Sequence, residues 1–164
     1  MSSTNHAPAR QIERVAANVT GAYVAIAGIA IFNVAVFLDW ATPEGDATGF
    51  SGYEADSLIP FQAYLGIGFA AALLYAAKRA YRNQHRGLSL ASMAVGIAVT
   101  LQALAWGFDV MGAAERQSEL NADLGTWVGL VGGILWAVGS GMLAKEPEGD
   151  TEHDRIDTDV TSGR

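Results

Sequence analysis

Leu124–Ala144 reads LGTWVGLVGGILWAVGSGMLA, twenty-one residues without a single charge. A helix rises ~1.5 Å per residue, so a segment of this length matches a ~30 Å hydrocarbon core. Working outward, three more windows have the same character: Leu88–Phe108, Leu58–Ala77 and Val19–Leu38 are also free of Asp, Glu, Lys, Arg and His. A soluble protein needs charge on its surface and has no reason to clear such windows. Hydrophobic residues make up 51% of the 164-residue chain and charged residues only 16%, below the ~25% of ordinary soluble domains. The expected fold is all-α: a polytopic membrane protein whose four transmembrane helices (19–38, 58–77, 88–108, 124–144) form an antiparallel bundle within residues 19–144. Residues 1–18 are read as a cytoplasmic N-terminal segment. The seven acids and three bases of Lys145–Arg164 read as an acidic disordered cytoplasmic tail.

Orientation follows from the bases. Of ten Lys and Arg residues, nine fall on one side: Arg10 and Arg14, then Lys78, Arg79, Arg82 and Arg86, then Lys145, Arg155 and Arg164. Only Arg116 lies on the other. The positive-inside rule then places both termini and the Lys78–Gly87 loop in the cytoplasm of a plasma (inner) membrane. Lys78, Arg79, Arg82 and Arg86 form a basic loop suited to anionic lipid head groups. The outer loops are acidic. Residues 39–57 hold five acids and no base, and residues 109–123 hold four acids and one base, giving −5 and −3. Trp40, Trp106 and Trp127 fall at the outer helix ends, where an aromatic belt is expected. Trp136 lies deeper and reads as a packing or lipid-facing residue. Gly112–Asp123 is composed largely of helix-compatible residues, so the third helix is expected to project past the membrane.

Packing and chemistry are read from the few polar and small residues inside the windows. Gly125, Gly129 and Gly133 repeat at i+4 and mark a stripe where another backbone approaches. The neighbour is either the first helix, with Gly21, Ala25 and Gly28, or another chain. Asn33, Gln62 and Gln102 are the intramembrane polar residues, each ~6–9 Å below the outer ends of their helices. They read as interhelical hydrogen-bonding groups, or as the lining of a shallow outward-facing pocket. The chain has no cysteine, which excludes disulfides, thiolate metal sites and cysteine nucleophiles. No ionisable group lies within a window, which argues against haem, a di-histidine metal site and an embedded proton relay. Phosphate-loop and dinucleotide fingerprints are missing too. No cofactor, no metal, no catalytic residue and no nucleic-acid partner are expected.

Phe37-Leu38-Asp39-Trp40 leading into Gly52-Tyr53-Glu54, together with the glycine-rich Trp127–Gly141, resembles small four-helix integral membrane proteins of actinobacteria. The resemblance covers about Gly21–Ala144. Some small helical proteins of that group are accessory subunits of respiratory complexes. It therefore implies a non-catalytic plasma-membrane protein acting as an accessory or assembly component of a larger complex, with the bilayer and other integral membrane proteins, respiratory subunits among them, as partners. The alternative is a subunit of a small transporter or channel, with Asn33, Gln62 and Gln102 lining its polar path.

Overall fold

Asp123 ends an extended segment and accepts the N–H of Leu124 (2.6 Å), which starts the helix Leu124–Ala144 where the charge-free window begins. The computed structural model describes residues 18–45, 48–77, 85–108 and 119–146. Their order is α1 Thr20–Ala35, β1 Asp39–Pro43, β2 Phe50–Ser51, α2 Gly52–Ala55, α3 Leu58–Ala77, α4 Arg86–Phe108, β3 Leu120–Ala122 and α5 Leu124–Ala144. The described chain is mostly helical, and α3, α4 and α5 are each long and apolar enough to cross a membrane. Lys78, Arg79, Arg82, most of the N-terminal segment and residues 147–164 of the tail lie outside the described residues.

Two expectations are corrected. The first helix stops at Ala35, three residues short of the window read as a span. The Trp40 indole N–H donates to the Ala35 carbonyl (2.8 Å). Phe37 and Leu38 then bond three residues back, to Val34 and Ala35. The tightened turn ends the helix and swings the chain into β1. At sixteen residues, α1 is ~24 Å long. The second correction concerns the outer loops. They are not merely connections: β1 is the middle strand of a three-stranded antiparallel sheet of order β2-β1-β3. Ala41 pairs with Phe50 on one side, and Ala41, Thr42 and Pro43 pair with Ala122, Asn121 and Leu120 on the other. Leu120–Ala122, read as helix-compatible, is thus a strand. Gly45, at φ +82°, makes the turn that follows β1, a left-handed conformation that glycine adopts without a Cβ clash.

α5 is the central helix, packed along both α1 and α4, while α3 leans on α1 more than on α4. Glycine sets these approaches. A Cβ on Gly132 would stand 2.7 Å from the Phe32 nitrogen, and one on Gly21 would stand 2.6 Å from the Gly139 carbonyl. On the α4 side, a Cβ on Gly133 would meet Thr100 Oγ1 at 2.8 Å, and one on Gly96 the Ala137 nitrogen at 2.6 Å. Numbers rise along α5 as they fall along α1 and α4. Gly125 and Gly129 face the Trp40 indole, at 2.5 and 2.8 Å for the same added atom. The stripe Gly125, Gly129, Gly133 is therefore filled within this chain, by one indole and one threonine.

The large apolar side chains sit outside. Phe37, Phe61, Tyr64, Ile67, Leu101, Phe108 and Val131 are each more than half exposed. The interior of α5 is Gly125, Thr126, Gly129, Gly132, Gly133, Gly139 and Ser140 around Trp136. Small and hydroxyl residues inside with bulky apolar ones outside invert the soluble pattern. It is the distribution expected of helices that pack against one another in lipid.

Candidate functional site

Near the sheet, Asp56 at the start of α3 and Gln102 of α4 form the polar link between these two helices. It is built from the loop downward. Ser51 opens α2: the Glu54 carboxylate accepts both the Ser51 N–H (3.0 Å) and the Ser51 hydroxyl (2.8 Å). These bonds hold the Glu54 carboxyl below its ordinary range. The short helix delivers Asp56, whose Oδ1 accepts the N–H of Leu58 (2.9 Å) and so caps α3. Its other oxygen, Oδ2, accepts Nε2–H of Gln102 on α4 (3.2 Å). Gln102 is 9% exposed and Gln62 7% exposed, and the carboxamide oxygen of each has no hydrogen-bond partner. Gln62 lies one turn from Gly66, where an added Cβ would meet Ile29 of α1 and Trp136 of α5. Phe69, two turns below it on the same face, packs edge-on against Trp136 at 6.2 Å, and Trp136 donates its indole N–H to Ser92 of α4 (2.8 Å).

Two tryptophans are buried near the same end. Trp106, one turn beyond Gln102, is buried with its indole N–H unpaired. Its ring meets Trp40 at right angles, centroids 6.2 Å apart, and Trp40 in turn meets Phe32 at 6.3 Å. Burial inside the protein replaces the interfacial position read for Trp40 and Trp106. The reason is the glycine groove of α5, which admits the Trp40 ring, and the Ala35 carbonyl, which takes its N–H. Trp127 remains 44% exposed, lying against Gly107. The exposed aromatics near it in height are Phe37, Tyr53 and Tyr64. Phe37 and Tyr53 rings are 5.3 Å apart, and the Tyr53 and Tyr64 hydroxyls share a hydrogen bond (3.4 Å) that holds the Tyr53 proton and raises its pKa.

The three amides do not form one layer. Asn33 turns back and donates to the Ile29 carbonyl of its own helix (2.9 Å). Gln102 joins Asp56, and Gln62 lies with Gly66 on the face toward α1 and α5. Asp109 lies outside the described residues. Sequence reasoning missed Asp56, although an Asp-Ser pair just ahead of an apolar run is a helix-start signal. It also missed the rung below that link, where the Ser92 hydroxyl, bonded by Trp136, meets Ser140 of α5 at 2.9 Å.

The other end of the bundle is tied by His85 and Arg86. The buried His85 ring places Nε2 3.2 Å from the Leu143 carbonyl, and Arg86 donates to the Ala144 carbonyl (3.2 Å). A carbonyl only accepts, so Nε2 carries a proton, and Nδ1 has no hydrogen-bond partner. Ser89 donates to the His85 backbone carbonyl, not to the ring. No described serine or threonine is aligned on His85, and no described His, Asp and Glu side chains group as a metal site. Among the described residues, the amide oxygens of Gln62 and Gln102 and the Trp106 indole N–H are the buried polar atoms near the sheet end of the bundle that lack a hydrogen-bond partner. No known protein family, curated protein or solved structure matches the chain.

Proposed function

We propose that this chain is a four-span plasma-membrane protein, with α1 completing the fourth crossing, both termini cytoplasmic and the sheet outside. In this reading it performs no chemistry. It acts as an accessory or assembly component of a larger membrane complex, a respiratory assembly being the host that its resemblance to small actinobacterial membrane proteins suggests. The observation that carries the reading is the inverted distribution of side chains. A tightly packed glycine interior supports bulky apolar surfaces on every helix, with α3 standing out furthest. Such surfaces need lipid or other membrane helices against them. The glycine stripe no longer argues for a partner, because Trp40 and Thr100 occupy it. Mild-detergent extraction from the native membrane, native gel separation and mass spectrometry test the reading. A stoichiometric large complex is expected; recovery as a lone chain refutes it.

A transporter or channel subunit is the second reading. The two unpaired amide oxygens of Gln62 and Gln102 favour it, although Asn33 does not join them. A homo-oligomer stabilised by substrate would support it over the first.

A further inference from the structure

α3 is the least covered of the three membrane-length helices. Ile59, Gln62, Ala63, Gly66 and Leu73 turn inward. Tyr64, Gly68, Ala71 and Tyr75, at steps of four, three and four, are exposed along one outward face. A glycine inside a helix is disfavoured against alanine. On α5 the glycines offset this by close packing. Gly68 does not, because an added Cβ there would meet nothing within 4 Å. It leaves a notch in the exposed face, between two tyrosines. Toward the sheet the face continues off the helix. The Tyr64 hydroxyl is bonded with that of Tyr53 (3.4 Å), and the Tyr53 ring lies 5.3 Å from that of Phe37, itself exposed.

Charge narrows what can cover this face. At the sheet end the described residues hold six acids, Asp39, Glu44, Glu54, Asp56, Glu119 and Asp123, and no base. Glu54 and Asp56 stand at the head of α3, and Glu54 directly follows Tyr53. Lys78 and Arg79 follow the other end of α3 in the sequence. A second copy of this chain, inserted the same way round, would set acids against acids and bases against bases along α3.

We propose that the exposed face of α3 docks a transmembrane helix of a different protein, one that carries lysine or arginine at its outer end. The partner helix packs into the Gly68 notch and sets its base beside Glu54, where the exposed rings of Tyr53 and Phe37 also favour a cation. Membrane proteins concentrate their bases on the cytoplasmic side, so an outer base admits few partners. The inference rests on the assembly role proposed above and gives the chemistry of the partner.

The full chain, with a fluorescent donor on Glu44→Cys, is reconstituted in phosphatidylcholine vesicles with a synthetic leucine–alanine transmembrane helix. An acceptor dye marks one end of the peptide, flanked by lysines in one version and by glutamates in the other. Energy transfer above the level of random mixing is expected with the lysine peptide and not with the glutamate peptide. Gly68→Leu fills the notch on an open surface and weakens the association about tenfold. Glu54→Gln narrows the preference for lysine about threefold. A chain that fails to insert defeats the membrane reading and this one with it. A chain that inserts and shows no transfer, which leaves the face to lipid, defeats this one alone. So do equal transfer to the two peptides, transfer unchanged by Gly68→Leu, and a preference for lysine unchanged by Glu54→Gln. Donor-labelled and acceptor-labelled copies of the chain are mixed in the same vesicles. Transfer between them that Gly68→Leu abolishes gives the face to a second copy and overturns the proposal.

Discussion

Adding one methyl group at two glycines gives opposite results if the helix contacts are as described. At Gly132 on α5, a Cβ stands 2.7 Å from the Phe32 nitrogen, 2.9 Å from the Gly28 carbonyl and 3.0 Å from Phe32 Cα. All three are backbone atoms of α1 and cannot rotate away. Reaching an ordinary 3.4 Å requires α1 and α5 to part by ~0.7 Å (3.4 minus 2.7). A gap of 0.5–1 Å forfeits a quarter to a half of each dispersion contact it opens, and here it opens along two turns or more. Overpacking of this kind costs about 1–3 kcal/mol. Alanine returns up to ~1 kcal/mol through helix propensity, so Gly132→Ala is net destabilising by about 1–2 kcal/mol. Gly68 on α3 has nothing within 4 Å of an added Cβ. Gly68→Ala keeps the propensity gain and is stabilising by about 0.5–1 kcal/mol. Reversible unfolding in mixed detergent micelles, read by tryptophan fluorescence, measures both. The same sign for the two substitutions, or a neutral Gly132→Ala, refutes the close α1–α5 approach.

Three further outcomes follow from the geometry. Ser92→Ala strands the buried Trp136 indole N–H and removes the partner of Ser140, a loss of about 1–3 kcal/mol by the same unfolding assay; Ser140→Ala, which leaves the Trp136 bond in place, costs less. Asp123 accepts from Thr42 and from the Leu124 N–H, which lowers its pKa in the fold. A depressed carboxyl stabilises above its unfolded pKa of ~3.9 and loses that contribution as pH falls through the folded value. The protection of the β1 and β3 amides, taken against intrinsic exchange at each pH, therefore falls below about pH 4, and Thr42→Val reduces that fall; protection that is flat with pH contradicts the contact. Finally, the chain has no cysteine, so single cysteines report topology cleanly. Glu44→Cys, beside the sheet, reacts with a membrane-impermeant maleimide added to intact cells, and Ser3→Cys does not; the reverse pattern inverts the orientation.

The sequence disclosed what lipid dictates and little of what side-chain direction dictates. Helices α3 and α5 begin and end where charge disappears and returns, because a span without water tolerates neither charge nor open backbone. Arg86 joins α4 two residues ahead of the apolar window, since a long basic side chain can reach outward from a helix end. The sheet left no trace. Strands of five, two and three residues are too short for an alternating pattern, and Pro43 argues against a strand on its own. The glycine stripe signalled close approach but could not say to what, because an indole from a loop and a backbone from a helix leave the same vacancy. Gln62 and Gln102 stood out by polarity. Asn33 stood out equally and bonds within its own helix, a choice made by rotamer and not by residue type. Asp56 was hidden by its loop position among other acids.

The Trp40 groove has a consequence for how the chain is made. Gly125 and Gly129 belong to the last helix, and β3, the strand that pairs with β1, immediately precedes it. Synthesis runs from the N-terminus, so Trp40 emerges some eighty-five residues before its pocket exists. In that interval an indole is most at ease at the bilayer–water boundary. Only the arrival of α5 completes the glycine groove that holds the ring and sets β3 beside β1.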